Sequence, residues 1–275
     1  MISRTLAVIM SVYRSDRDVD ILKSSIESIL NQTFSDFDFM IAIDGYIEKD
    51  IKDYLLFIEQ KNNHVHLFFD DENHGLAYQL NKLIDIAIQR CDYKYFARMD
   101  ADDISNECRF EQQIDFLEKN KNIDVVGSDV IEISSDGEEI FYKKMESDHF
   151  KMYKKIIKRC PFNHPTVMFR ADLFREGFRY NSSLKNTQDY YLWIDLLCRK
   201  KKFANINKPL LKFRIDDDFH SRRGLKKAIN DVKSRIYALK KLRIYSVGNV
   251  VHVFALFFLR VAPPFVKKIA YKIMR

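Results

Sequence analysis

Glycine and proline are scarce in this chain, seven and five in 275 residues. Long disordered or low-complexity segments are therefore not expected, and no internal repeat is present. Hydrophobic residues make up 47 % and aromatics 13 %, the balance of an ordinary globular protein with one large core or two small ones. Cysteine is sparse too. Cys91, Cys108, Cys160 and Cys198 stand far apart, with no CxxC pair and no Cys/His metal spacing, so they read as reduced thiols in a cytosolic protein. The first residues run directly into the strand-like TLAVIMSVY. No basic-then-apolar stretch ending in small residues precedes it, and no secretory leader is expected.

Acidic residues are nearly missing from the end of the chain. From Arg222 onward there are 14 Lys/Arg and a single acid, Asp231, whereas the preceding residues hold 32 basic and 38 acidic side chains. The overall +7 thus hides a mildly acidic body and a strongly basic tail, and this shift is the best candidate boundary.

The first half alternates two periodicities. Leu6–Val12, Phe37–Ile43, His64–Phe69 and Tyr93–Met99 read as strands. Asp20–Gln32, Glu48–Gln60 and Gly75–Arg90 carry apolar residues at helical spacing. This order predicts an α/β fold with a parallel sheet and helices on both faces. Ligands bind such sheets beyond the carboxyl ends of the strands. Ser11–Tyr13, Asp44, Asn73 and Asp100–Asp103 all fall there. In YFARMDADDIS, three carboxylates follow a buried strand within four residues. Such a cluster repels itself unless a positive partner joins it, and the usual partner is a hard divalent cation such as Mg²⁺ or Mn²⁺. The alternative is an acidic turn capping the next helix. Farther on, helices are expected over Arg109–Asn120, His149–Arg159 and Gln188–Lys200, the last capped by Thr187. Strands are expected over Ile123–Ile133, Glu139–Lys143, Pro165–Phe169 and Leu210–Ile215.

Six segments stand in order: VIMSVYRSD, AIDG at Asp44, NHGLAYQLN from Asn73, ARMDADD from Ala97, HPTVMFR from His164 and TQDYYLW from Thr187. Together they resemble the family 2 glycosyltransferases of the GT-A fold, nearest in character to bacterial enzymes of O-antigen, capsule or exopolysaccharide synthesis. The resemblance covers roughly residues 5–220, and it implies a GT-A domain over 1–220 with a Rossmann-like, mostly parallel sheet. It implies a UDP-sugar donor whose uracil is held by Ser11, Val12, Tyr13 and Asp44, with Asn73, Gly75 and Leu76 along base and ribose. Asp44 would accept the imide N–H; the alternative is a turn residue before Gly45. Arg98 would reach the diphosphate or pair with a carboxylate. Asp100 would face the ribose or sugar, Asp102 would bind Mn²⁺ or Mg²⁺, and Asp103 would orient the donor or serve as helix-start charge. Asp189 would be the base of an inverting transfer. The family often has Glu-Asp here, where this chain has Gln188-Asp189. A base in the first turn of a helix also feels a dipole that lowers its pKa. Trp193 would stack on the acceptor sugar or belong to the core, and His164 would lie on the acceptor side or be structural.

One departure concerns the metal. Relatives often carry a His shortly after the last strand of the domain; here FRIDDDFHSRRG puts Asp216 at that place and His220 four residues later. Asp216, Asp218 or His220 would supply a third protein ligand, or phosphates and water would. Arg222 and Arg223 could instead close over the diphosphate.

The region 221–275 reads as a basic helical extension. Leu225–Leu242 has helical spacing with exposed lysines. The apolar run Val253–Leu259 is too short to span a bilayer and is interrupted by Arg260 and Pro263. An apolar helix flanked by Lys and Arg suits an anionic membrane surface, the inner face of the plasma membrane, and agrees with the family's polyprenyl-diphosphate-linked acceptors. The alternative is a helical pair packed on the catalytic domain. Nucleic acid is not expected, because aromatics are poorly interleaved in the basic stretch. The rival enzyme class, a nucleotidyltransferase, would need a Gly-rich basic loop after the first strand, and SVYRSDRD has no Gly. A non-catalytic sugar-nucleotide-binding module would not need Asp189.

Overall fold

The first apolar run forms β1 (Leu6–Tyr13), and its side chains alternate between two cores. Ala7 and Ile9 enter one; Leu6, Val8, Met10 and Val12 enter the other. A strand covered on both faces has no water-facing side, so its sequence shows no polar alternation. The computed structural model describes residues 4–14, 18–184, 186–215 and 225–262.

After β1 come α1 (Val19–Leu30), β2 (Phe37–Asp44), α2 (Lys49–Lys61), β3 (Val65–Asp70), α3 (Leu76–Arg90) and β4 (Tyr95–Met99). Strands β3, β2, β1 and β4 lie side by side and parallel, in that order. The second half adds β5 (Ile104–Ser105), α4 (Arg109–Lys119), β6 (Val125–Ile133), β7 (Glu139–Lys143), α5 (His149–Lys155), β8 (Met168–Arg170), α6 (Asp172–Arg175), α7 (Gln188–Cys198) and β9 (Phe203–Arg214). Here the sheet becomes mixed. β8 runs antiparallel to both β4 and β6, while β6 and β9 are parallel.

Three of the segments that depart from the sequence expectation are these. The strand expected over Pro165–Phe169 forms only at Met168–Arg170, and Pro165 and Thr166 lie instead in a turn of 3₁₀ helix, His164–Thr166, with Pro165 near its start. β9 begins at Phe203, seven residues before the expected Leu210. Thr187 does not cap α7 with its side chain: its backbone is left-handed at φ 64°, and its hydroxyl donates to the Asn186 carbonyl at 2.5 Å.

The chain closes with α8 (Leu225–Leu242) and α9 (Val247–Val261). Ala238, Leu239, Leu242 and Val253 are buried in the same core as Trp193 and Leu196 of α7. The two helices therefore pack on the body. Among the described residues no helix is long and apolar enough to cross a membrane.

Candidate active site

A cavity of about 580 Å³ opens at the carboxyl ends of β1, β2 and β4. Ser11, Tyr13, Asp44, Asn73, Gly75, Leu76, Asp100 and Asp102 line it, together with His74, Ser182–Leu184 and Gln188. Of the site residues expected along the first hundred positions, all but Val12 and Arg98 line this cavity on one side, and Gln188 at the start of α7 lines the other.

Asp44 is the best-connected acid at this edge. One carboxylate oxygen accepts from the Asn73 amide at 2.7 Å and the Gly75 N–H at 2.9 Å. The other accepts from the His74 N–H at 2.8 Å and from Gln79 Nε2 at 2.7 Å. A carboxylate offers about four lone-pair sites, so the protein itself fills Asp44. A base imide N–H could reach it only if one of these donors yields, and the exposed Asn73 amide is placed to do so. Asp44 thereby fixes the loop that enters α3. Two glycines make the loop possible. Gly45 (φ +82°) would bring a Cβ to 3.1 Å from Asn73 N, and Gly75 (φ +89°) has a backbone that L side chains rarely adopt.

Gln79 was not picked out from the sequence. It is fully buried on α3, and its amide bridges Asp44 to Asp70 Oδ2 at 2.8 Å. Lys82 pairs with Asp70 at 2.7 Å. Burial works to raise the Asp70 pKa, but the Lys82 and Gln79 hydrogen bonds outweigh it and hold the carboxyl below its ordinary range. The available signal was a glutamine among the apolar positions of an amphipathic helix. Asp44→Asn would turn an amide nitrogen toward two of the four donors while burying the same volume. It should cost about 3 kcal/mol of unfolding free energy, read by denaturant titration.

The acidic run divides by depth. Arg98, 2 % exposed, holds Asp100 with a two-pronged ion pair, so of its two readings the carboxylate partner is the one formed. Ser25 donates to the Asp100 carbonyl at 3.0 Å. Asp102 is half-buried on the cavity wall. Asp103, expected to orient the donor or to serve as helix-start charge, is fully buried and is not among the residues that line the cavity. One of its oxygens accepts the Arg214 N–H at 2.8 Å; the other is buried with no hydrogen bond. Burial first, then the charges of Asp102 and Asp100, pushes the Asp103 pKa well above its ordinary value. Arg214 also donates to the Asp102 carbonyl at 3.0 Å, so the end of β9 is fastened to the run. Oxygens from Asp100, Asp102 and Asp103 lie within 4.8 Å of one another. Three hard oxygen donors, one orphaned in the interior, fit a divalent cation of the Mg²⁺ or Mn²⁺ type. Asp216, Asp218, His220, Arg222 and Arg223 lie outside the described residues.

Asp189 follows the cavity-lining Gln188 in the first turn of α7. Burial raises its pKa; hydrogen bonding from the Tyr190 N–H, then the charges of Arg98 and Arg235, oppose this, and the net shift is upward. The helix dipole therefore does not decide its acidity. Trp193, expected to stack on a sugar, is fully buried and lies parallel to Phe169 at 5.7 Å, so it offers no face to an acceptor. His164 Nε2 bonds the Tyr180 hydroxyl at 2.8 Å. Burial, then the Arg98 charge, lowers its pKa well below the ordinary value and keeps it neutral. Val12 has its side chain in the core and can serve the cavity only through its main chain.

The sequence profile of glycosyl transferase family 2 matches residues 7–178. An O-antigen biosynthesis glycosyltransferase of Escherichia coli, WbnJ, is 33 % identical over 244 residues, which cover 86 % of this chain and 88 % of that one. A beta-1,3-galactosyltransferase of Escherichia coli, named for UDP-Gal and alpha-D-GlcNAc-diphosphoundecaprenol, is 27 % identical over 97 % of this chain and 94 % of its own. Among solved structures, S. aureus TarS 1-349 with UDP-GlcNAc superposes at TM-score 0.63 over 94 % of this chain and 82 % of that one. Its 13 % identity speaks for the fold alone.

Proposed function

The chain is a glycosyltransferase of family 2, and from that premise we propose that it moves a hexose, glucose or galactose, from a UDP-sugar to a lipid-diphosphate-linked sugar in cell-surface polysaccharide synthesis. The observation that carries the reading is the single cavity at the strand ends. It joins Ser11, Tyr13, Asp44, Asn73 and Gly75 on one side to Asp100 and Asp102 on the other, with Gln188 beside the base. The first group is the nucleoside end: Tyr13 offers a ring, Ser11 and Asn73 offer polar atoms, and Asp44 sets the loop. Gln188 has a buried Oε1 with no hydrogen bond, placed to accept from a sugar hydroxyl. A Mn²⁺ or Mg²⁺ ion held by Asp102 with Asp100 would offset the diphosphate charge that grows as UDP leaves.

Asp189 is the base in this proposal. It takes the proton of the acceptor hydroxyl as that oxygen bonds to the anomeric carbon, and the bond from that carbon to the UDP oxygen breaks on the opposite face. Inversion follows, so an α-linked donor gives a β-linkage. The relative that acts from UDP-Gal on a diphosphoundecaprenol-linked sugar with beta-1,3 outcome agrees with this. The test is a panel of UDP-sugars with Mn²⁺ and a lipid-diphosphate acceptor. One sugar should release UDP at least about tenfold faster than the others, in step with acceptor consumption. UDP release from none of them, with the acceptor present, would overturn the reading.

The acceptor's lipid implies a membrane surface, on the inner face of the plasma membrane. α9 supports this: Val247, Val251, Phe254 and Phe258 form an exposed apolar stripe at helical spacing, 83 %, 59 %, 63 % and 65 % accessible. Exposed Lys240, Lys241 and Arg243 flank it at the turn from α8. Such a helix lies flat in an anionic interface. Phe254→Asp with Phe258→Asp should lower co-sedimentation with anionic liposomes by about tenfold or more, given the transfer free energy of two aromatic side chains. Undiminished sedimentation would remove the membrane from the proposal.

A further inference from the structure

Helix α8 grips the helix that carries Asp189. Tyr237 donates its hydroxyl to Asp195 at 2.5 Å, and its ring lies 4.6 Å from that of Tyr191. Nearer the start of α7, the Arg235 guanidinium sits 3.8 Å from the centre of the Tyr190 ring. Tyr190 is the residue after Asp189, and its hydroxyl is tied to the Ile156 carbonyl at 2.8 Å. Arg235 Nε is buried and makes no hydrogen bond. Leaving a guanidinium N–H unmet in the interior is costly, and a surface position would avoid the cost. Other residues of this same helix, such as Lys233 and Lys240, do stay at the surface.

We propose that Arg235 is a positioning residue for Asp189: it pins Tyr190, and with it the first turn of α7, and keeps a fixed positive charge beside the carboxylate. The proposal rests on the reading of Asp189 as base. The charged and titratable groups around the carboxylate come from several elements. Arg98 faces it from β4 and Arg235 from α8, while Cys160 and Tyr180 face it from the connecting segments. His252 of α9 lies in the field of Arg235. Of these only Arg98 and Arg235 oppose the upward push of burial on Asp189, and Arg98 is already committed to Asp100. Arg235 is therefore the cation whose first partner in the site is the base-bearing turn. It belongs to the same C-terminal helical pair as the apolar stripe of α9, so α8 contacts both that helix and the helix that carries the base.

The test uses the full chain with saturating donor and acceptor, comparing Arg235→Met and Arg235→Lys. Arg235→Met should lower kcat by about 10- to 100-fold while the donor KM and the UDP Kd stay within about twofold. The acidic limb of its kcat profile should move to higher pH, because a base that loses a neighbouring cation protonates more easily. Arg235→Lys keeps the charge and loses the planar stack, so its acidic limb should stay in place with kcat partly recovered. Full kcat in Arg235→Met, or a lower kcat with an unmoved limb, would overturn the proposal. So would a parallel loss of kcat, UDP affinity and unfolding temperature in both variants. Asp189→Asn separates the two readings. If it is inactive while Arg235→Met is normal, only the positioning role fails; if it is fully active, the assignment of the base fails.

Discussion

Asp189→Asn should lower the transfer rate at pH 7 by about 10²- to 10⁴-fold, the range a positioned general base contributes, and leave UDP binding unchanged. The substitution keeps the shape of the side chain and the start of α7, so the fold should persist. Asp189 does not line the strand-end cavity, whereas its neighbour Gln188 does. The effect should therefore fall on kcat and not on the UDP Kd measured by calorimetry. The pH dependence follows from the same carboxylate. Burial raises its pKa above the ordinary 3.8, against the Tyr190 N–H and the Arg98 and Arg235 charges. A base works only when ionised, so the rate should fall as pH drops through the raised folded-state value. The acidic limb should accordingly sit above that of an exposed aspartate. An Asp189→Asn enzyme with undiminished transfer and normal UDP binding would show that another group takes the proton.

What the sequence made legible follows from which interactions are local. Strands β1, β2 and β4 read correctly because burial on both faces writes an unbroken apolar run. The early residues of β9 did not read as strand, because Asn205, Asn207, Lys208 and Pro209 interrupt any pattern. The structure shows why they are tolerated. The Asn205 amide donates to the carbonyls of Glu146 and Pro161 at 2.8 and 2.9 Å. Pro209 falls where the register against β6 shifts, between Ser128 and Val130, so its missing N–H breaks no regular ladder. The acidic run was visible, but its division by depth was not. That Asp100 belongs to Arg98 and that Asp103 is sealed beneath Arg214 depends on the packing of β4, β5 and β9. Trp193 was ambiguous because a tryptophan one turn after a base fits both a sugar platform and a core; the cluster of Phe162, Phe169 and Phe203 around it decides for the core. Gln79 and Arg235 escaped attention for one reason. Each is a polar residue in a helix with a partner distant in sequence; Gln79 stands within NHGLAYQLN, but nothing there marks it apart from its neighbours, and Arg235 belongs to none of the six segments.

Asp102→Asn should move activity and stability in opposite directions. Among the three clustered carboxylates, Asp103 is buried, while Asp100 and Asp102 are both half-buried on the cavity wall and Asp100 is engaged by Arg98. Removing the Asp102 charge should lower kcat/KM by about 10²- to 10³-fold, since a bound divalent ion supplies several kcal/mol of charge stabilisation in such transfers. Titration with Mn²⁺ followed by electron paramagnetic resonance should show weakened binding independently of turnover. The metal-free protein should respond the other way. Burial and the neighbouring charges of Asp102 and Asp100 raise the Asp103 pKa well above its ordinary value. A carboxyl raised in the folded state destabilises the fold at pH above its unfolded pKa, and the penalty grows as pH rises toward the folded value. Taking away the Asp102 charge relieves part of that penalty, so the variant should unfold at a higher denaturant concentration than the parent at pH 7 without metal. It should also lose most of the parent's gain on adding Mn²⁺, because a cation that binds only the folded state stabilises it in proportion to its affinity. If Asp102→Asn destabilises the metal-free protein and leaves the Mn²⁺ response intact, the run is an acidic turn that supports α4, and its convergence on the cavity has another cause.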